Sequence, residues 1–458
     1  MTGRVSLSVL VASLVVPAAA WAQPPGWSPG GHPPAAYPPT MTAVPPGYSP
    51  PGYGPPAGSP YGGPLPPGPH YHGPEGHVTQ DYGPGYHDPN VPYYGPTGVI
   101  STRVLQEPFW DENRPIEKFV GNYFRNGYFR LEYLNYEIDE PGNELLGAPI
   151  QGIANPTEPF PVFDFQIPPQ FLGTARVVDL TDITFRDVNG VRGTIGVPLI
   201  FGAWEVSGWA MEQASDQIRP AIDAFEFIAT STLVSGQPAT NSVFLYNSDF
   251  EARYTSDIWG LETVVAWHGF HWELFDPNDG LQVQPVIGLR FLSIQEQLRQ
   301  SGTFFDPFLL QTPLVSVINS ESHNNIAATI LGARIEYVHK WFTLGAEPRI
   351  GPGWNRYRNH VTTENFRSFA DGVIETQDDE TVLTAVAEFQ LYARVHVTED
   401  FSLTVGYNVL WVPRMTRPHR NIFYNDNGPN APPGIVVDSE IDELRLEGLT
   451  VGGELRFR

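Results

Sequence analysis

From about residue 128 to the end of the chain, apolar and polar residues alternate one by one, and runs with a helical period are almost absent. Successive side chains of a strand point to opposite faces, so this alternation predicts strands with one apolar and one polar face. The pattern gives strands at about 128–138, 190–199, 203–212, 249–267, 281–298, 323–339, 342–358, 381–397, 401–413 and 440–457. In "TVLTAVAEFQLYARVHV" (381–397), Leu383, Ala385, Ala387, Phe389, Leu391, Ala393, Val395 and Val397 share one side. Glu388, Gln390, Tyr392, Arg394 and His396 share the other. An apolar face of that length suits hydrocarbon better than a small core. The segments around Ala327–Tyr337 and Phe342–Ile350 repeat the arrangement, with Arg334, Glu336, Glu347 and Arg349 on the polar side.

The predicted connections sharpen this reading, because long and short ones alternate. Residues 139–189, 213–248, 299–322, 359–380 and 414–439 are long, 200–202, 340–341 and 398–400 are tight, and the turn at 276–280 is intermediate. Outer-membrane barrels have short periplasmic turns and long outer loops; a secreted sandwich does not require that asymmetry. The expected fold is therefore all-β, an antiparallel up-and-down transmembrane β-barrel of about 10 strands, or 12 if 175–185 or 225–234 adds a hairpin. The last run, "LTVGGELRFR", is a bare two-faced strand, which in a barrel pairs with the first strand near 125–136 and leaves no sheet edge in lipid. Aromatic residues beside the turns, Trp204, Trp259, Trp267, Trp341, Phe401, Tyr407, Trp411 and Phe457, are the candidate membrane-interface girdle.

The first 22 residues have Arg4, a short apolar run and small residues at Ala20 and Ala22, the pattern of an export leader cleaved after Ala22. Residues 23–98 are a Pro/Gly/Tyr/His-rich tract that cannot build a core, so disorder or polyproline II is expected there. Residues 99–127 form an irregular periplasmic connector before the barrel at 128–458. His70, His72 and His77 could hold a transition metal only weakly in such a tract, and no metal or other cofactor is expected. The chain has no cysteine, which excludes disulfides, thiolate sites and a lipid-anchored cysteine. A formal net charge of -24 argues against nucleic acid as a partner. The expected partners are outer-membrane lipid, the barrel-assembly machinery and, through the extension, cell-wall material.

Several segments carry a resemblance: "YFRLEYLNY" (128–136), "VRGTIGVPL" (191–199), "YTSDIWGLETVVAW" (254–267), "PVIGLRFLSIQEQL" (285–298) and "FSLTVGYNVLWVPRMTRPHRNI" (401–422). From about residue 125 onward the chain resembles the putative beta-barrel porin-7 family of outer-membrane proteins, barrels of planctomycete type that are themselves similar to Legionella-type pore-forming proteins. The last segment is the most specific, through Gly406, Tyr407, Arg417 and Pro418. The resemblance implies an outer-membrane barrel and carries no catalytic residues with it.

The inward polar positions make Arg130, Glu132, Arg290, Arg334, Glu336, Glu347, Arg349, Glu388, Arg394, Glu454 and Arg456 the candidate lumen lining. Opposite charges spaced along single strands are expected to pair: Arg130 with Glu132, Arg334 with Glu336, Glu347 with Arg349, Glu388 with Arg394 and Glu454 with Arg456. Such a set serves equally a narrow polar pore or a charge network filling a narrow barrel. A rim protease is the competing enzymatic reading, with Asp378, Asp379, His360 and His323 near the outer rim. No G-x-S-x-G, H-E-x-x-H or P-loop occurs, so no enzyme is expected. The open functional readings are a narrow pore, a structural envelope protein and a non-conducting tether.

Overall fold

The alternation closes on itself. In the computed structural model, ten antiparallel strands form one ring: β1 (Tyr128–Ile138), β2 (Phe185–Leu199), β3 (Gly202–Met211), β4 (Asp249–Trp267), β5 (Gly280–Phe304), β6 (Leu314–Val338), β7 (Phe342–Glu364), β8 (Val373–His396), β9 (Phe401–Thr416) and β10 (Ile441–Arg456). Each pairs with the next in sequence, and β10 returns to β1 from Tyr128↔Arg456 to Ile138↔Leu446. The structure describes residues 121, 127–163, 170–199, 201–235, 237–273, 280–305, 312–427 and 432–457. The expected leader, the extension with its three histidines, the connector apart from residues 121 and 127, and most of the turn at 276–280 lie outside them.

A belt of large apolar side chains faces outward around the ring. Leu131, Ile195, Leu261, Leu289, Leu331, Ile350, Leu383, Val405 and Leu449 are each exposed, with Ile350 and Leu383 both at 59%. Such a belt needs a hydrocarbon surround, since a monomer in water does not expose contiguous apolar area on this scale. The belt ends in register: Ala327, Trp354 and Leu383 are neighbours across β6, β7 and β8, and one ladder step beyond them Asn325, Arg356 and Thr381 face outward.

Beyond the belt the barrel continues. The strands β5 and β6 have 25 residues each, and at about 3.3 Å per residue and a tilt near 45° they rise to about 60 Å, against about 30 Å of hydrocarbon. The expected long loops 299–322 and 359–380 are therefore mostly wall, with connections of only 305–313 and 365–372. They read as loops because the polarity inverts there. Within the belt the outer face is apolar and the inner face polar; above it Arg253, Thr255 and Asp257 face out while Phe250, Tyr254 and Ile258 face in. The inversion falls at adjacent apolar pairs such as Ile258–Trp259 and Phe291–Leu292, with no slip in backbone register.

The two segments that could have made a twelfth strand do not join the ring. Residues 171–177 and 226–234 belong, with Phe160–Phe163, Gln237–Tyr246 and Asn425–Asp426, to a five-stranded sheet over the loop end. Three connections supply it, and their backbones interlock through Ala148 N to Ser231 O at 2.7 Å and Leu233 N to Tyr424 O at 2.9 Å. A second apolar cluster of Ile318, Val361, Phe366, Tyr424 and Ile435 seats this cap on the walls of β6 and β7.

Candidate functional site: the filled lumen

All eleven candidate lumen residues lie on inward-facing positions of their strands. Most are buried, and Arg130 and Arg456 at the turn end keep 13% and 16% of their side chains exposed. The pairing is not the one the same-strand spacing suggests. Arg130 turns from Glu132 to Glu454 at 2.9 Å, Arg334 bypasses Glu336 for Glu205 and Glu347, and Glu388 is held by Arg290 rather than Arg394. Only Glu347 with Arg349 at 2.8 Å and Glu454 with Arg456 at 3.0 Å keep the expected partners. In a narrow barrel an arginine reaches across the lumen as readily as along its own strand, so geometry across the ring decides.

The outcome is a chain of alternating charge. Glu132 is 4.0 Å from Arg192, Arg192 is 3.9 Å from Glu388, Glu388 contacts Arg290, and Arg290 is 2.7 Å from Glu262. Glu262 continues to Arg349 at 3.1 Å, Glu347 at 2.8 Å from it, and Arg334, whose guanidinium meets Glu205 through two bonds of 2.7 and 2.8 Å. Glu205, Glu262 and Arg192 were not singled out from the sequence. Each is the one charge among the inward positions of its strand, and that was the available signal.

One level nearer the loop end the filling changes character. Leu134, Val188, Trp209, Ile258, Leu292, Ile294, Ile326, Val386, Leu410, Val412, Leu444 and Leu446 form one buried cluster drawn from every barrel strand but β7. This layer lies at the level where the strand polarity inverts, and it crosses the lumen.

Above it the connection after β9 descends into the barrel. Arg417, 1% exposed, meets the buried Glu296 through bonds of 3.2 and 3.1 Å and donates to the Asp139 carbonyl at 3.0 Å. Ser320 donates to the Pro418 carbonyl at 2.8 Å, and Asn324 donates to the Thr416 carbonyl at 2.8 Å. His419 sits 3.2 Å from the Tyr254 hydroxyl and 3.4 Å from Asp442. Burial, joined by Arg417 and Arg420, pulls its imidazole down to about 4 although the Asp442 hydrogen bond opposes the shift. A folded-state value below the unfolded one means the unfolded chain takes the proton first, so this contribution is complete above about pH 6.5 and is lost as pH falls toward 4. The expected loss is about 3 kcal/mol of cap stability; cleavage of loop 417–440 by an acid-active protease should rise across that window and be flat for His419→Gln.

The aromatic residues named for the girdle all face outward. Trp204, Trp267, Trp341, Phe401 and Phe457 gather at the turn end and Trp259 and Trp411 at the opposite edge of the belt, whereas Tyr407 lies inside the belt below Val409 and Trp411. The candidate rim residues do not converge. His360 is on the outer wall, 2.8 Å from Glu375, and Asp379 is on that wall near Arg356, while Asp378 faces inward to Ser439 at 2.6 Å. His323 pairs with Glu321 on the outer wall at 3.9 Å. Among the described residues no group of His, Cys, Asp and Glu is arranged to hold a metal.

A closed antiparallel ring, an outward apolar belt and a polar interior define a ten-stranded transmembrane β-barrel of the up-and-down class. The sequence profile described as putative beta barrel porin-7 matches residues 170–457, and the chain belongs to that family. No curated protein matches it. Among solved structures it is similar to the outer membrane protease OmpT from Escherichia coli, with 12% identity, a TM-score of 0.39, and coverage of 73% of this chain and 97% of that one. It is also similar to a Pseudomonas aeruginosa FadL homologue, with 8% identity, a TM-score of 0.19, and coverage of 72% and 90%, and to a mutant of the TodX monoaromatic hydrocarbon channel, with 7%, 0.19, 73% and 91%.

Proposed function

We propose that this protein is a sealed outer-membrane barrel: a structural envelope component that carries a rigid cap outside the cell and does not conduct. The observation that supports this reading is the buried apolar layer across the lumen, to which nine of the ten barrel strands contribute. Such a layer is a barrier to hydrated ions even where the network beneath it holds water, because an ion entering it sheds its hydration without replacement. The turn end then faces the periplasm, with export by a leader cleaved after Ala22 and insertion by the barrel-assembly machinery. The protein is not an enzyme in this reading, which accords with Asp378 and His360 lying on opposite faces of the wall.

The test is a planar bilayer. The refolded full chain, shown to be inserted by its heat-modifiable gel migration, is expected to give no discrete current steps in salt. Regular steps from the same preparation would restore the narrow pore and sink the sealed reading.

A further inference from the structure

Two prolines stand in the middle of a membrane-spanning strand. Pro348 and Pro352 face outward on β7, on either side of Ile350 in the apolar belt. Proline is ordinarily kept to sheet edges, because it has no amide hydrogen to give to a neighbouring strand. Here both neighbours are present, and the register shows which of them goes without. The ladder from β7 to β8 is continuous from Phe342↔Val395 to Glu364↔Val373, through Pro348↔Phe389 and Pro352↔Ala385. The ladder from β7 to β6 stops at Ala328↔Gly353, resumes for Leu331↔Ile350 and Gly332↔Arg349, and stops again until Ile335↔Ala346.

Both breaks follow from the missing hydrogens. In an antiparallel ladder alternate residues of a strand direct amide and carbonyl together to the same neighbour, and the even-numbered residues of β7 direct theirs to β6. Ile350 completes its exchange with Leu331, but Pro348 and Pro352 cannot donate to Ala333 and Thr329, which stand opposite them. The carbonyls of Ala333 and Thr329 are left without a ladder donor in the part of the wall that hydrocarbon surrounds. The Thr329 carbonyl lies against Gly351, where any side chain would collide with it. The Thr329 hydroxyl is given to the Pro352 carbonyl at 3.1 Å. By contrast the ladders β3–β4, β4–β5 and β5–β6 run unbroken.

On the lumen side a pair of charges bridges the lower break. Arg334 on β6 and Glu347 on β7, the residues next to Ala333 and Pro348, meet at 3.0 Å. We infer that the wall between β6 and β7 is a lateral seam: it parts reversibly in the membrane, at the height of the lower charge network, while the rest of the ring stays paired. The Arg334–Glu347 ion pair is its clasp. Parting lets the carbonyls of Ala333 and Thr329 turn toward the polar lumen, where a donor can reach them, and this offsets part of the cost of separating the strands. A fully paired ladder has no such gain. The inference rests on the wall alone and holds whether or not the barrel conducts.

The experiment is amide hydrogen exchange, segment by segment, on the full chain refolded into lipid vesicles, joined to the rate of urea unfolding from the same vesicles. In the parent, residues 327–335 and 344–354 are expected to exchange about tenfold faster than 258–266 and 286–294, the corresponding stretch of the unbroken β4–β5 ladder. Glu347→Gln, which loosens the clasp, should raise exchange in the seam further and leave the β4–β5 ladder as it was. Pro348→Ala with Pro352→Ala restores both donors, so it should bring the seam down to the rate of that ladder and slow unfolding by about tenfold. The freedom that alanine adds to the unfolded chain bears on the folding rate instead. Equal exchange in the two ladders of the parent overturns the seam, and that reading needs no variant that fails to insert. So does a double-alanine protein that exchanges or unfolds as fast as the parent, or a Glu347→Gln protein whose exchange rises evenly round the ring.

Discussion

Replacing Arg417 by alanine should destabilise the capped barrel by about 3–5 kcal/mol, the cost of leaving a buried carboxylate without its partner. Glu296 is fully buried and receives two bonds from this guanidinium at 3.2 and 3.1 Å, while a third bond of 3.0 Å ties Arg417 to the Asp139 carbonyl. One side chain therefore fastens the connection after β9 to the wall at β5 and to the segment leaving β1. Removing it should free the cap before the barrel opens: loop 417–440 becomes cleavable by protease while the folded band in a heat-modifiability gel persists. Arg417→Lys should recover part of the loss, because an ammonium keeps the charge without the two-pronged fit. Arg417→Met with Glu296→Leu should recover more, since removing both charges also removes the desolvation cost. Equal protease resistance in Arg417→Ala and the parent would mean that the interlocked backbones hold the cap without this ion pair.

Arg417 was visible in the sequence only as part of a resemblance, and the reason is physical. Its partner is 121 positions away, and nothing in the local alternation distinguishes a residue that plugs a barrel from one in a solvated loop. The same limit explains the misassigned pairs. Parity along a strand fixes which face Arg334 and Glu347 occupy, and both are inward as the alternation required, but parity says nothing of which side chain stands opposite across the lumen. The strand count survived because each hairpin is a local event with its own turn. The wall above the membrane was lost because a criterion tuned to lipid-facing apolar residues fails where the outer face is wet. Adjacent apolar pairs such as Ile258–Trp259 do record that boundary, since one member serves the interior and the other the belt. Read as a phase change inside one strand, such pairs would have extended β5 through β8 to their observed heights, as the expected strand 249–267 already ran for β4.

Arg334→Ala should be the most costly single change in the lower network, about 3–5 kcal/mol, because it leaves the buried Glu205 without its arginine and takes from Glu347 one of its two. Glu205 loses bonds of 2.7 and 2.8 Å and Glu347 one of 3.0 Å, and all three side chains are no more than 5% exposed. Arg130→Ala is the instructive comparison. Its carboxylate partner Glu454 keeps Arg394 and Arg456, and Arg130 itself is partly open to the turn end, so the expected loss is nearer 1–2 kcal/mol. Urea unfolding of the two variants in the same lipid vesicles measures the difference directly. The ranking bears on the sealed lumen as well as on stability. A water-filled interior would screen Glu205 and bring the two losses together, whereas a dry one charges the full desolvation penalty to the variant that leaves Glu205 bare. A clear excess for Arg334→Ala therefore argues that the network is packed rather than flooded, and equal losses would count against the sealed barrel even if the bilayer stayed silent.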